Sequence, residues 1–155
     1  MRVGYGVDAH RFAAAGGVLL AGVPVDDSRG VEATSDGDVL AHAVADALLG
    51  AAALGDLGAL FPEETSQGAD SMHLLAMVVE RLGDRGLKPA GLDATVISQS
   101  IRVAPHRGVI RSALAKVLGL DMDRVSVKGT TTDGLGFTGA DEGIAATAVV
   151  VVTEA

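Results

Sequence analysis

Asp8 and His10 stand two residues apart where an alternating apolar pattern ends, and a third candidate ligand, His42, lies in a predicted helix. Side chains at i and i+2 of a strand leave the same face, so Asp8 and His10 can converge on one ion. Asp38, His42 and Asp46 are four apart and share one helix face. A carboxylate beside a ligand histidine can hold the far ring nitrogen, fixing the tautomer and raising basicity; Asp38 and Asp46 are the candidates. Two histidines, one carboxylate and an open fourth position are what a catalytic zinc site needs. The plainer reading makes Asp8 a strand-end residue and Asp36, Asp38 and Asp46 a solvated helix face. Against it, Ala41, Ala43, Ala45 and Ala47 surround His42 with small apolar neighbours, leaving an unpaired imidazole few partners. His73 and His106 fit surface positions at helix starts.

The elements that must position these residues follow from periodicity. Val3, Tyr5 and Val7 alternate with Arg2, Gly4 and Gly6, predicting a strand that ends at Asp8-Ala9-His10. A second strand is expected from Val18 to about Val25, then a loop from Asp26 to Thr34. Ser35 with Asp38 three residues later fits a capping box for a helix running to about Leu54. A further helix should begin near Asp70-Ser71, with Leu74, Leu75, Val78 and Leu82 as its stripe and Gly86 as its stop. A strand through Leu92, Ala94 and Val96, a turn from Ser100 to Ala104 and a helix opening on Pro105 come next. Val109, Ile110, Ala113, Leu114 and Val117 form that helix's expected buried face, with Gly119 after it. Val125 and Val127 mark a strand, and the valine-rich run Ile144 to Thr153 marks the last one.

This order, ββααβαβ, favours an α+β fold: a single domain over residues 1–155, a mixed sheet with helices packed on one face. Residues 55–69 and 129–143 read as long loops, unusual in a compact domain and therefore places to look for function. The 155 residues carry a net charge of −8, which argues against a polyanionic nucleic-acid partner. Aromatics are 3% of residues, too few for base-stacking modules. With no cysteine, any metal must sit on His and carboxylate groups, and a cytoplasmic setting is expected. No export signal is apparent, and Ile144 to Thr153 is about half the length needed to cross a bilayer, so no membrane partner is expected.

Four stretches together resemble the cyclodiphosphate synthase family over nearly the whole chain. They are Gly4-Tyr5-Gly6-Val7-Asp8-Ala9-His10; Ser35-Asp36-Gly37-Asp38-Val39 with His42 and Asp46-Ala47-Leu48-Leu49-Gly50; Gly55-Asp56-Leu57-Gly58 with Phe61-Pro62; and Thr130-Thr131-Thr132-Asp133-Gly134-Leu135-Gly136-Phe137-Thr138-Gly139. The resemblance implies a homotrimer with active sites between neighbouring subunits and Zn²⁺ on Asp8, His10 and His42. It implies a CDP-linked substrate, 4-diphosphocytidyl-2-C-methyl-D-erythritol 2-phosphate, whose 2-phosphate attacks the β-phosphorus and expels CMP. Asp133 would hold Mg²⁺ or Mn²⁺ with the diphosphate, and Thr130, Thr131 and Thr132 would grip the phosphates, with Thr131 and Thr34 at the reacting centre.

By the same matching Ser35, Asp56, Gly58, Phe61 and Phe137 would contact substrate, with 61–65 closing beside it and Glu63 and Glu64 altering detail there. Ser98 to Ala104, including Ser100, Arg102 and Ala104, would recognise cytosine. Four positions in three stretches depart from the family pattern. Arg102 stands for the usual lysine, Thr34 for a phosphate-contacting histidine, and Gly139-Ala140-Asp141-Glu142-Gly143 for Gly-Arg-Gly-Glu-Gly. Two rival readings are a zinc hydrolase, which would release phosphate or an acid, and a non-catalytic trimer that binds metal or an isoprenoid-like ligand.

Overall fold

In the computed structural model, which describes residues 1–155, the chain opens with β1 (Arg2–Ala13), β2 (Val18–Leu20), β3 (Val23–Asp26) and β4 (Gly30–Val31). Helices α1 (Val39–Ala51), α2 (Leu57–Leu60) and α3 (Ser71–Gly83) follow, then β5 (Leu87–Ile97), α4 (Arg107–Leu118), β6 (Val125–Thr130), α5 (Gly136–Gly139) and β7 (Gly143–Glu154). The five-stranded sheet runs β4-β1-β7-β5-β6, antiparallel except for the β5–β6 pair, so it is mixed as expected. No helix is long and apolar enough to cross a membrane.

Strand parity divides the sheet into two faces. Gly4, Gly6, Ile144, Ala146, Ala148, Val150 and Val152 are buried toward the helices, and α1, α3 and α4 cover that side. Val3, Tyr5, Val7 and Val149 point the other way and are exposed. Tyr5 lies directly across from Val149, and Val3 from Val151, so the open face carries a contiguous apolar patch.

Helix α1 lies against β1 and β7, and Val39, Leu40, Ala43, Val44, Ala47 and Leu48 are fully buried. A helix apolar nearly all round belongs in a core, which overturns the solvated-face reading of its acids. It comes very close to β1, because Gly4 and Gly6 carry no side chain. A Cβ at Gly4 would overlap the Ala47 carbonyl oxygen, and one at Gly6 the Ala43 carbonyl oxygen.

Several sequence expectations need correction. The N-cap of α1 is Asp38 rather than Ser35, and the helix ends at Ala51 rather than Leu54. Asp38 is fully buried and accepts hydrogen bonds from Ala41 N (2.9 Å), Ala21 N (2.9 Å) and Gly22 N (2.6 Å). It thus caps its own helix while holding the turn between β2 and β3, where Ala21 (φ 51°) and Gly22 (φ 75°) are both left-handed. The single strand expected from Val18 to Val25 is this hairpin. β1 continues past His10 to Ala13, pairing through Arg11 with β7 and through Phe12 and Ala13 with β4. Both supposed loops contain a single helical turn, α2 and α5. On α4 the buried stripe is Ile110, Leu114, Ala115 and Leu118, and Val109 is exposed.

Substituting Gly6→Ala should cost about 3 kcal/mol, the upper end of overpacking, because the obstacle is helix backbone rather than a rotatable side chain. Urea denaturation would register this as a fall in midpoint at unchanged slope.

Candidate active site

The parity that places Gly4 and Gly6 under α1 also turns Asp8 and His10 toward the helix layer, where the first turns of α1 bring His42 to meet them. Asp8 Oδ2 lies 3.0 Å from His42 Nδ1 and 2.9 Å from His10 Nε2. The His10 N–H direction misses this oxygen, so the buried Nε2 has no hydrogen-bond partner. The two rings meet edge to face with centroids 5.7 Å apart, and one ligand atom from each of the three residues falls within 4.8 Å of the others. An orphaned imidazole nitrogen, a second nitrogen and a carboxylate oxygen on one point form a donor set that fits a divalent metal ion.

The far nitrogen of His42 is held by hydroxyls, not by the helix carboxylates. Nε2 sits 2.7 Å from Ser71 Oγ and 3.2 Å from Ser35 Oγ. Ser71 donates its only proton to Asp36, whose other oxygen accepts from Ser71 N (3.0 Å). The Ser71 hydroxyl must therefore accept from His42 Nε2–H, which leaves the Nδ1 lone pair facing Asp8 and the ligand cluster. Asp38, expected beside His42, is spent on three backbone amides. Asp46 lines the cleft but accepts from Leu57 N (2.7 Å), tying α2 to α1.

Two clefts gather most of the remaining candidates. The first is lined by Asp8, His10 and His42 together with Thr34, Ser35, Gly58 and Phe61. The second is lined by Arg102, Ala104, Thr130 and Thr131. Asp133 adjoins the second site, left-handed at φ 52°, with its carboxylate accepting from Thr131 Oγ1 at 3.2 Å. Thr132 turns inward, donating to Leu135 O (2.6 Å) and lying 2.9 Å from Thr138 Oγ1, so its hydroxyl braces the loop. Asp56 lies outside both clefts and caps α2 through Ala59 N (2.8 Å). Phe137 sits in a separate hollow beside His10, Arg11 and Glu142, and Ser100 bonds to Asp141.

Glu63 of the 61–65 loop lines the metal cleft and Gln99 of the Ser98–Ala104 segment lines the second one, as expected, whereas sequence reasoning missed Ser71 and Ser66 near the metal cluster and Arg107 in the second cleft. Arg107 is the clearest case: its Nε donates to Val127 O (3.0 Å), orienting a guanidinium on the cleft wall. Its place in the first turn after Pro105 was the available signal.

Burial pushes the Asp8 carboxyl up, but the close His10 and His42 imidazoles outweigh it and hold it at about 2. Burial pushes His42 down, and Asp8 more than reverses this, so its pKa is raised above 6.5. Asp8 therefore contributes stability above its unfolded value of 3.8, lost as pH falls toward about 2. His42 contributes stability below 6.5, lost as pH rises through its raised value. In metal-free protein the pair should stabilise most between pH 3.8 and 6.5. Asp8→Asn should lower the melting temperature chiefly in that window. Metal must displace the His42 proton, so affinity should weaken on acidification, and calorimetry in buffers of different ionisation enthalpy should show proton release.

The YgbB family matches residues 1–153. The 2-C-methyl-D-erythritol 2,4-cyclodiphosphate synthase of Marinobacter nauticus is 49% identical over 154 residues, which cover 98% of this chain and 97% of that protein. A solved structure of a 2C-methyl-D-erythritol-2,4-cyclodiphosphate synthase in its CDP-bound form superposes with TM-score 0.90 at 32% identity, over 98% of this chain and all of that one. The bifunctional IspDF of Campylobacter jejuni gives TM-score 0.94 at 39% identity over 99% of this chain, which spans 42% of its length. The chain belongs to the YgbB family, the family of the 2-C-methyl-D-erythritol 2,4-cyclodiphosphate synthases.

Proposed function

We propose that this chain converts 4-diphosphocytidyl-2-C-methyl-D-erythritol 2-phosphate into 2-C-methyl-D-erythritol 2,4-cyclodiphosphate and CMP, acting as a cyclising, metal-dependent phosphorus–oxygen lyase in the cytoplasm. The observation that carries the reading is the convergence of Asp8, His10 and His42 on one point in a cleft shared with Thr34, Ser35, Gly58 and Phe61. CDP bound to a synthase of the same fold supports a nucleotide in the second cleft.

Attack of one phosphate on another brings like charges together, so the protein must hold the reacting ends in line and neutralise their oxygens. Zn²⁺ held by Asp8, His10 and His42 would supply Lewis-acid stabilisation at the β-phosphate, and Mg²⁺ or Mn²⁺ held by Asp133 would offset charge on the diphosphate. The chain's own part is orientation. Thr130 and Thr131 offer hydroxyls and amides to the phosphates, Arg102 and Arg107 bring cations to the nucleotide, and the Asp36–Ser71–His42 relay fixes the ligand tautomer. Thr34 gives a hydrogen bond where the family pattern has a histidine. Asp56 and Phe137 reach substrate only if loops rearrange or a neighbouring copy contributes.

The assembly proposed is a homotrimer built on the open sheet face. Val3, Tyr5, Val7 and Val149 offer an apolar surface that a lone chain would leave in water. The two clefts share no lining residue, and the strands behind them, β1 and β6, stand three strand spacings apart, about 14 Å. A metal cleft of one subunit completed by the nucleotide cleft of its neighbour accounts for both.

Incubation with the CDP-linked substrate, zinc and magnesium should yield CMP and the cyclic diphosphate in equal amounts over many turnovers. Asp8→Ala and His42→Ala should each lower kcat/KM at least about a hundredfold, and chelation should abolish turnover. Release of inorganic phosphate would point to a hydrolase. Substrate binding without turnover would leave a binding protein.

A further inference from the structure

Arg29 has no part in the chemistry above, yet its guanidinium is engaged on every side. Its Cζ lies 3.7 Å from the centroid of the Phe12 ring, Nη1 is 3.0 Å from Asp141 Oδ2, and Nε is 3.4 Å from Asp26 Oδ2. Nη2 donates to Ser100 Oγ, which in turn donates to Asp141 Oδ1 at 2.6 Å. Asp141 adopts φ 57°, a left-handed conformation that aspartate enters less readily than the glycine the family pattern places there. A residue held against its backbone preference and satisfied by two side chains from distant segments is there for those contacts.

The network ends on Ser100, which lies inside the 98–104 segment, and its neighbours on both sides, Gln99 and Ile101, line the second cleft. Residues 98 and 99 are also fastened to the phosphate loop: Ser98 N donates to Thr130 O (3.0 Å), and Gly134 N donates to Gln99 Oε1 (3.3 Å). We infer that Arg29 and Asp141 are positioning residues which, through Ser100, set the 98–104 segment against the Thr130–Asp133 loop so that one nucleotide diphosphate can touch both. The inference rests on the functional reading above and adds residues that touch no substrate. Burial pushes the Asp141 carboxyl up, but the Ser100 hydroxyl and Arg29 outweigh it and hold it below its ordinary value. The bridge therefore stays ionised at neutral pH.

The charges of the two residues make the test discriminating. If they acted on the nucleotide only through their fields, loss of Arg29 would weaken CDP binding and loss of Asp141 would tighten it. Positioning predicts weakening by both. CDP titrations of the zinc-loaded protein should show Arg29→Gln and Asp141→Asn each weakening binding by about fivefold, the worth of one ordinary hydrogen bond. Asparagine tolerates the left-handed backbone. The double variant should be no worse than either single one, and Arg29→Lys should not rescue, because an ammonium cannot meet three partners in one plane while stacking on the Phe12 ring. Zn²⁺ affinity should stay unchanged. Where Asp141→Asn assembles poorly, Asp141→Gly removes carboxylate and strain together and serves the same comparison. Opposite shifts for the two residues, or wild-type CDP affinity with only a lowered melting temperature, would overturn the inference. A wild-type chain that does not bind CDP would overturn the nucleotide reading, and this inference with it.

Discussion

The close approach of α1 to β1 is the constraint on which the metal cluster depends. Two residues of strand cover about the same length as one helical turn, so the contacts advance in step. Gly4 lies under Ala47 and Ala51, Gly6 under Ala43 and Ala47, and Asp8 beneath His42. A side chain at either glycine would push the helix outward and carry His42 away from Asp8. The glycines thus act on the site without touching it.

The same closeness decides how a chain with a net charge of −8 can attract an anionic substrate. Many of its carboxylates are already committed. Asp38 binds three amides inside the core, although burial pushes its carboxyl up, Asp36 is occupied by Ser71, and Asp46 by Leu57 N. Asp8 is left facing two imidazoles. Asp36, Asp38 and Asp46 are therefore tied up in architecture, and the positive side of the local field comes from the histidines of the first cleft and the arginines of the second.

What was legible in the sequence follows from locality. Strand parity was enough to put Asp8 and His10 on one face, and the 3.6-residue repeat gave α1, α3 and α4. The four short motifs then marked both clefts. What was not legible depends on contacts between distant segments. Asp38 looks like one more helix acid until Ala21 and Gly22 arrive from the hairpin. Ser71 looks like a helix-start residue until α3 is laid beside His42. Val109 fits the helical period, but α4 is turned so that Ile110 and Leu114 face the core. The one-turn helices α2 and α5 are too short for periodicity to register. Arg29 offers locally only a pair with Asp26 three residues before it, and the partners that tie it to the second cleft lie 71 and 112 residues away.

The open sheet face has a spectroscopic consequence. The chain contains no tryptophan and one tyrosine, and that tyrosine is Tyr5, 62% exposed at the centre of the apolar patch. Excited at wavelengths longer than its three phenylalanines absorb, the protein therefore emits from one ring on one surface, on the side of the sheet opposite the helix layer. Quenching and anisotropy of that emission report on whatever covers the face, without a label and without interference from events at the metal.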